Sequence, residues 1–167
     1  VVGNASVIAF LINPNEPNPE KADMQEAARN LGVELRVLDA RTEREFDPAF
    51  ANVVQMRSGG LVIGSSGIFV AHQEELAALA VRHAVPAVFE NREFAAAGGL
   101  MSYGGSITDA YRMTGVYVGR ILKGEKASEL PVQQGTKVEF CINLKAAKAL
   151  GVSVPNTLVG RADEVFE

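Results

Sequence analysis

Two glycine-rich loops, a Gly-Ser-Ser-Gly run, two histidines and a few acidic pairs are the residues of this chain whose types and spacing could do chemistry. Gly59 to Ser66 fits G-x-x-x-x-G followed by Ser-Ser, and Gly99 to Ser106 has the same glycine spacing before Gly-Ser. Both lack the lysine that meets the β and γ phosphates in a phosphate cradle, and in both a predicted strand fills the stretch that should be loop. A dinucleotide G-x-G-x-x-G is missing after the first strand, where Asn13-Pro14-Asn15 stands instead. Gly64-Ser65-Ser66-Gly67 approaches a nucleophile elbow, with His72 close behind, but the fifth position that G-x-S-x-G requires is Ile68. Serines capping a helix N-terminus explain the run more economically. His72 and His83 sit eleven residues apart on one predicted helix, roughly 16 Å along its axis, too far to share a metal. Glu16/Glu20 and Glu74-Glu75 read as solvated faces or first-turn helix acids. The lone Cys141 excludes an internal disulfide, a multi-cysteine zinc site and two-thiol racemase chemistry, and its apolar neighbours predict a small buried residue. No catalytic set, metal site or cofactor motif emerges, so the expectation is a binding protein rather than an enzyme.

Composition sets the outer limits. The 167 residues suit one ordinary domain or one lobe of something larger. With 47% hydrophobic and 22% charged residues the chain can bury a core. A net charge of −4 argues against a nucleic-acid partner, whose phosphates call for a basic surplus. The longest apolar runs, such as VIAFLI at 7–12, fall far short of the roughly 20 residues of a membrane-spanning helix. The opening VVGNASVIAF has no basic leader or cleavage site and runs almost directly into a strand.

The elements that must position any site alternate between short apolar runs and helical periodicity, the pattern of βαβ units and a largely parallel sheet. Strands are expected near 7–12, 34–38, 61–63, 86–89 and 100–102. Helices are expected over 20–31, closed by Gly32, from Asp47-Pro48 to before Gly59-Gly60, over 71–83, and over 107–122, where Ser106 and Asp109 have capping-box spacing. After Pro131 a strand near 136–142 leads to Asn143 as N-cap of a short helix 144–150 closed by Gly151, and 152–167 reads as a surface tail. In such a sheet ligands bind beyond the carboxyl ends of the strands. Those ends carry Asn13, Ser65 and Ser66, Glu90 and Asn91, and Ser102 and Tyr103, which are the predicted ligand-binding residues.

The stretches FLINPNEPN, EFAAAGGLMSYG, YRMTGVYVGRILKGEK, LPVQQGTKVEFCINLKAAKALGVSVP and RADEVFE resemble the substrate-binding proteins of a bacterial ABC transporter family that includes tryptophan- and tyrosine-type binders. The resemblance covers nearly the whole chain and is most specific over 94–155. It implies an α/β, three-layer fold, a largely parallel sheet with helices on both faces, as one lobe of a type I periplasmic binding protein. On that pattern the chain is the second, C-terminal half, with the first lobe and the export signal absent. Residues 1–131 form the lobe and 132–167 a return strand, short helix and tail. In ribose-type binding proteins, which the chain also resembles, the helix equivalent to 107–123 packs on the opposite lobe. Apolar surface left on 107–123 and 136–151 would then favour homodimers or swapping.

The resemblance further implies a solute-binding component of an ABC importer, periplasmic or otherwise extracytoplasmic in setting, with a permease and an ATPase as partners. Its small-molecule ligand would be held between two lobes, with Tyr103, Ser65 and Ser66 facing the cleft. An amino acid ranks first, ahead of an amide, nucleoside-like or sugar-like solute. The 64–67 loop departs from the expected Asp or Pro with aromatic neighbours, carrying Gly-Ser-Ser-Gly before Ile68-Phe69. A ligand-sensing regulatory effector domain of the same fold is the alternative.

Overall fold

The computed structural model describes residues 5–133 and 135–167. The expected opening at residues 1–4 and the part of the return segment at Gln134 lie outside them. In chain order the regular elements are β1 (Val7–Ile12), α1 (Glu20–Leu31), β2 (Glu34–Asp39), α2 (Phe46–Gln55), β3 (Leu61–Ile63), α3 (Gly67–Ala71), α4 (Gln73–Arg82) and β4 (Ala87–Phe89). There follow α5 (Arg92–Ala96), β5 (Met101–Gly105), α6 (Ile107–Leu122), β6 (Val138–Asn143), α7 (Leu144–Ala149), α8 (Asn156–Val159) and β7 (Glu164–Phe166).

The strands form one seven-stranded sheet in the order β2-β1-β3-β4-β5-β6-β7. Pairing is parallel from β2 through β5, antiparallel between β5 and β6, and parallel again between β6 and β7. The crossover from β1 to β2 runs one way along the sheet and those from β2 through β5 run the other. Because such crossovers are right-handed, α1 lies on one face and α2, α4 and α5 on the other. This is the expected three-layer α/β architecture.

Side-chain alternation along the strands decides what each face buries. Ala9, Leu11, Leu61, Ile63, Ala87 and Phe89 point toward α2 and α4 and form the main core with Phe46, Phe50 and Phe69. Fully burying each leucine, isoleucine or phenylalanine among them stabilises by about 1.5–3 kcal/mol relative to leaving it exposed. On the opposite face the row Val62, Val88 and Met101 is half-buried.

Most elements end where the sequence predicts. Gly32 closes α1 in the left-handed conformation (φ 67°), its N–H meeting the carbonyls of Ala28 and Arg29. Asn143 caps α7, its Oδ1 accepting from the Ala146 N–H at 2.8 Å while its Nδ2 donates to the Ala95 carbonyl at 2.8 Å, which ties α7 to the end of α5. At α6, Ser106 Oγ accepts from the Asp109 N–H (3.2 Å), but the return bond is absent because the Ser106 N–H goes to the Lys137 carbonyl.

The structure also corrects the reading. Residues 152–167, none of them buried, are more than a tail, since they contain α8 and then β7, which extends the sheet beside β6. The expected helix over 71–83 is α4, starting at Gln73, and an unanticipated short helix, α3, precedes it with the break at His72. The segment 136–151 is not stranded either, because Cys141, Ile142, Asn143, Ala146 and Ala147 are buried. Helix α6 differs: none of its residues is buried, and Tyr111 and Leu122 are 74% and 82% exposed.

Candidate ligand-binding rim

Three parallel strands, β1, β3 and β4, deliver their carboxyl ends to one edge of the sheet, and their first loop residues bond to one another. Asn13 is 5% exposed. Its Nδ2 donates to Glu16 Oε1 (2.8 Å) and to Ser66 Oγ (3.4 Å), and its Oδ1 accepts from the Asn15 N–H (3.1 Å). Asn18 Nδ2 donates to the carbonyls of Asn13 (3.0 Å) and Glu16 (2.6 Å), folding the Asn/Pro-rich loop back on itself. Asn13 therefore braces the loop with the whole of its amide.

The Gly64–Gly67 turn is held by carboxylates. Ser66 Oγ donates to Glu16 Oε1 (3.0 Å) and the Gly67 N–H to Glu16 Oε2 (3.2 Å). The Ser65 N–H donates to Glu20 Oε1 (3.0 Å), and Ser65 Oγ donates to Glu90 Oε1 (2.8 Å). Glu20 does sit in the first turn of α1, yet it and Glu16 reach across to the β3 loop instead of standing free in solvent. Ser66 occupies the N-cap position of α3 without a side-chain cap bond, because its hydroxyl is committed to Glu16. His72 pairs with Glu75 and packs edge-on to Phe46, so nothing joins it to Ser66 as a base to a nucleophile.

Between these groups lies a depression of about 390 Å³ lined by Glu16, Pro17, Glu20, Ser65, Ser66 and Val70. None of the ion pairs among the described residues involves Glu16, Glu20 or Glu90. Their charge is met by N–H and O–H donors alone. Asn91, next along the rim, is 5% exposed, caps α5 by position without a cap bond, and among the described residues its Nδ2 has no hydrogen-bond partner. A buried unpaired amide of this kind calls for an explanation.

Ser102 and Tyr103 part company. Consecutive strand residues face opposite sides of a sheet, so Ser102 turns inward (1% exposed) opposite Cys141 while Tyr103 turns to the other face (63% exposed). Ser102 is thus an interior residue and not part of the rim; among the described residues its Oγ has no full hydrogen-bond partner, the Cys141 thiol beside it being too poorly placed to count as one. Cys141 beside it is buried as expected, and that burial pushes its thiol up. Tyr103 stays at rim height. Phe89 is paired with Ser102, which sets Tyr103 level with Glu90, and the Tyr103 ring packs edge-on to Phe140 with centroids 6.1 Å apart. Beside it runs an apolar groove of about 550 Å³ lined by Val88, Met101, Tyr103, Phe140 and Leu158. The close approach has a local cause: a Cβ on Gly104 would lie 2.4 Å from the Glu90 carbonyl oxygen, so only glycine lets β5 ride against the end of β4.

Sequence reasoning missed Glu16 and Glu20 as members of this edge. The model of the family described as ABC transporter substrate binding protein matches residues 1–166. The chain belongs to that family. Solved structures agree on the fold of this substrate-binding family member. A conserved domain protein from Vibrio cholerae superposes with a TM-score of 0.82 at 22% identity over 97% of the chain. An ABC domain from Streptococcus pneumoniae in complex with L-Trp gives 0.81 at 19% over 98%. A ligand-free, open substrate-binding protein with adhesive properties from Clostridium difficile gives 0.68 at 20% over 98%. The chain spans 55%, 57% and 55% of those three chains. Among curated proteins no sequence matches. In open parallel α/β sheets generally, ligands are met beyond the carboxyl ends of the strands.

Proposed function

We propose that this chain is one wall of the solute clamp of an ABC importer, taking up an ammonium-bearing solute, first of all an amino acid, and passing it on unchanged. The carrying observation is the set of three carboxylates, Glu16, Glu20 and Glu90, around Ser65 and Ser66, with no lysine or arginine among the described residues paired to them. A carboxylate cluster neutralised only by neutral donors favours a cationic group, and charge-assisted hydrogen bonds are about twice as strong as neutral ones. The Tyr103 face offers apolar contact for the rest of such a solute. The L-Trp complex among the structural neighbours supports the same class.

Binding would be completed by a second wall, an importer permease and ATPase would receive the solute, and the protein would work outside the cytoplasm. Among the described residues no helix is long and apolar enough to cross a membrane. The test is a thermal-shift panel on the protein carrying both lobes. Amino acids and other ammonium-bearing solutes should raise the melting temperature while neutral sugars and anionic solutes leave it unchanged. Stabilisation by sugars alone, or by none of the classes in a folded sample, would refute the reading.

A further inference from the structure

A second constellation lies apart from the rim residues and shares none of them. Glu43 opens a single 3-10 turn (Glu43–Glu45) after β2, His72 is the elbow between α3 and α4, and Glu75 stands in the first turn of α4. One donor atom from each lies within 4.8 Å of the other two. His72 Nδ1 and Glu75 Oε2 are 3.3 Å apart. Two ligands held 2.0–2.1 Å from one tetrahedral zinc ion are separated by about 3.3 Å.

The imidazole is also held from behind. Its ring meets the fully buried Phe46 edge-on at 5.8 Å and 73°, so the core sets its orientation. Neither Glu43 nor Glu75 pairs with a lysine or arginine among the described residues. Two carboxylates brought this close repel each other, and a divalent cation between them converts the repulsion into ligation.

We propose that Glu43, His72 and Glu75 form a three-ligand site for a divalent transition-metal ion of the Zn²⁺ class, with water completing the coordination. One imidazole and two carboxylates suit such an ion, whereas Ca²⁺ and Mg²⁺ take oxygen ligands. A bound ion ties the connection after β2 to the α3–α4 elbow. The same α3 begins at Gly67, whose N–H is fixed by Glu16, so the ion braces the helix behind the rim from its far end.

Zinc chloride titrated into the untagged, chelator-treated chain in a calorimeter tests this. One equivalent should bind with micromolar affinity, and Co²⁺ should bind at the same site with a visible absorption band. His72→Ala should weaken Zn²⁺ binding by at least about tenfold. Glu43→Gln, at an exposed position where folding is not at risk, should weaken it several-fold. His83→Ala and Glu90→Gln should leave it unchanged, which separates this site from solute binding. Absence of saturable Zn²⁺ binding, or binding that His72→Ala and Glu43→Gln leave intact, would overturn the proposal.

Discussion

Ser65 Oγ donates to Glu90 Oε1 across 2.8 Å and so joins the loop after β3 to the end of β4. The two residues are 25 positions apart, and their bond makes two adjacent strand ends into one continuous edge. On the other side of the same loop, Glu16 performs the equivalent task toward β1. Its carboxylate accepts from Asn13, Ser66 and Gly67 at once.

Replacing Glu16 should therefore loosen the rim before it affects the core. Glu16→Ala removes the acceptor for three donors, of which Asn13 Nδ2 and Ser66 Oγ belong to buried residues. Leaving a buried donor unpaired costs about 1–3 kcal/mol, with the lower end expected here because Glu16 itself is half-buried. Chemical denaturation should show that loss, with faster amide exchange over 13–18 and 64–67. Unchanged stability would mean that water replaces the carboxylate at no cost.

Gly104→Ala should destabilise through backbone collision. The added Cβ would meet the Glu90 carbonyl oxygen at 2.4 Å, and backbone cannot rotate away as a side chain can. A cost of about 1–3 kcal/mol is expected, as for overpacking elsewhere. Gly105→Ala, where nothing lies within 4 Å of the new methyl, is the matched control and should be nearly neutral.

The Ser106 hydroxyl first, and the Lys137 ammonium second, hold the Glu139 carboxyl below its ordinary value. A carboxylate whose folded value is depressed adds stability above its unfolded value, near 4.5, and that stability fades as pH falls through the folded value. Melting curves of the protein and of Glu139→Gln should differ by a constant amount from pH 7 down to about 5.5 and converge below about 4.5. A difference that grows on acidification would contradict this sign.

Beyond its pairing with β6, the carboxyl-terminal strand is held by one side-chain clamp. Arg92 Nε and Nη2 meet the two oxygens of Glu164 at 2.6 Å each, and the guanidinium lies over the Phe166 ring at 5.3 Å. Both partners are about 40% exposed, so solvent screening limits the pair, and Arg92→Ala should cost about 1 kcal/mol. The clearer readout is local: amide exchange should accelerate over 164–166 more than anywhere in β1 or β3.

The sheet was legible because runs such as VIAFLI and LVI are long or apolar enough to declare strands, and Gly32 and Asn143 are residues whose conformational preferences mark helix ends. Short elements were not. Helix α5 and strand β7 span too few residues for any periodicity, and β7 is fixed by pairing with β6 and by Arg92, neither of which local sequence displays. The rim was half legible. Asn13, Ser65, Ser66, Glu90 and Asn91 follow from strand ends alone, but separating Ser102 from Tyr103 needs the strand register. Glu16 and Glu20 look like solvated acids until the β3 loop is folded beside them. The Glu43, His72 and Glu75 grouping was hidden for the same reason, since its members come from two separate crossovers.

The most direct measurement is calorimetric titration of amino acids into the two-lobed protein, in native form and with Glu90→Gln. Charge-assisted contact between an ammonium group and the rim predicts saturable binding by the native protein and a loss of about 1.5–3 kcal/mol, roughly tenfold or more in affinity, in the variant. Equal affinity in both forms, or tight binding of a solute without a cationic group, would contradict the account.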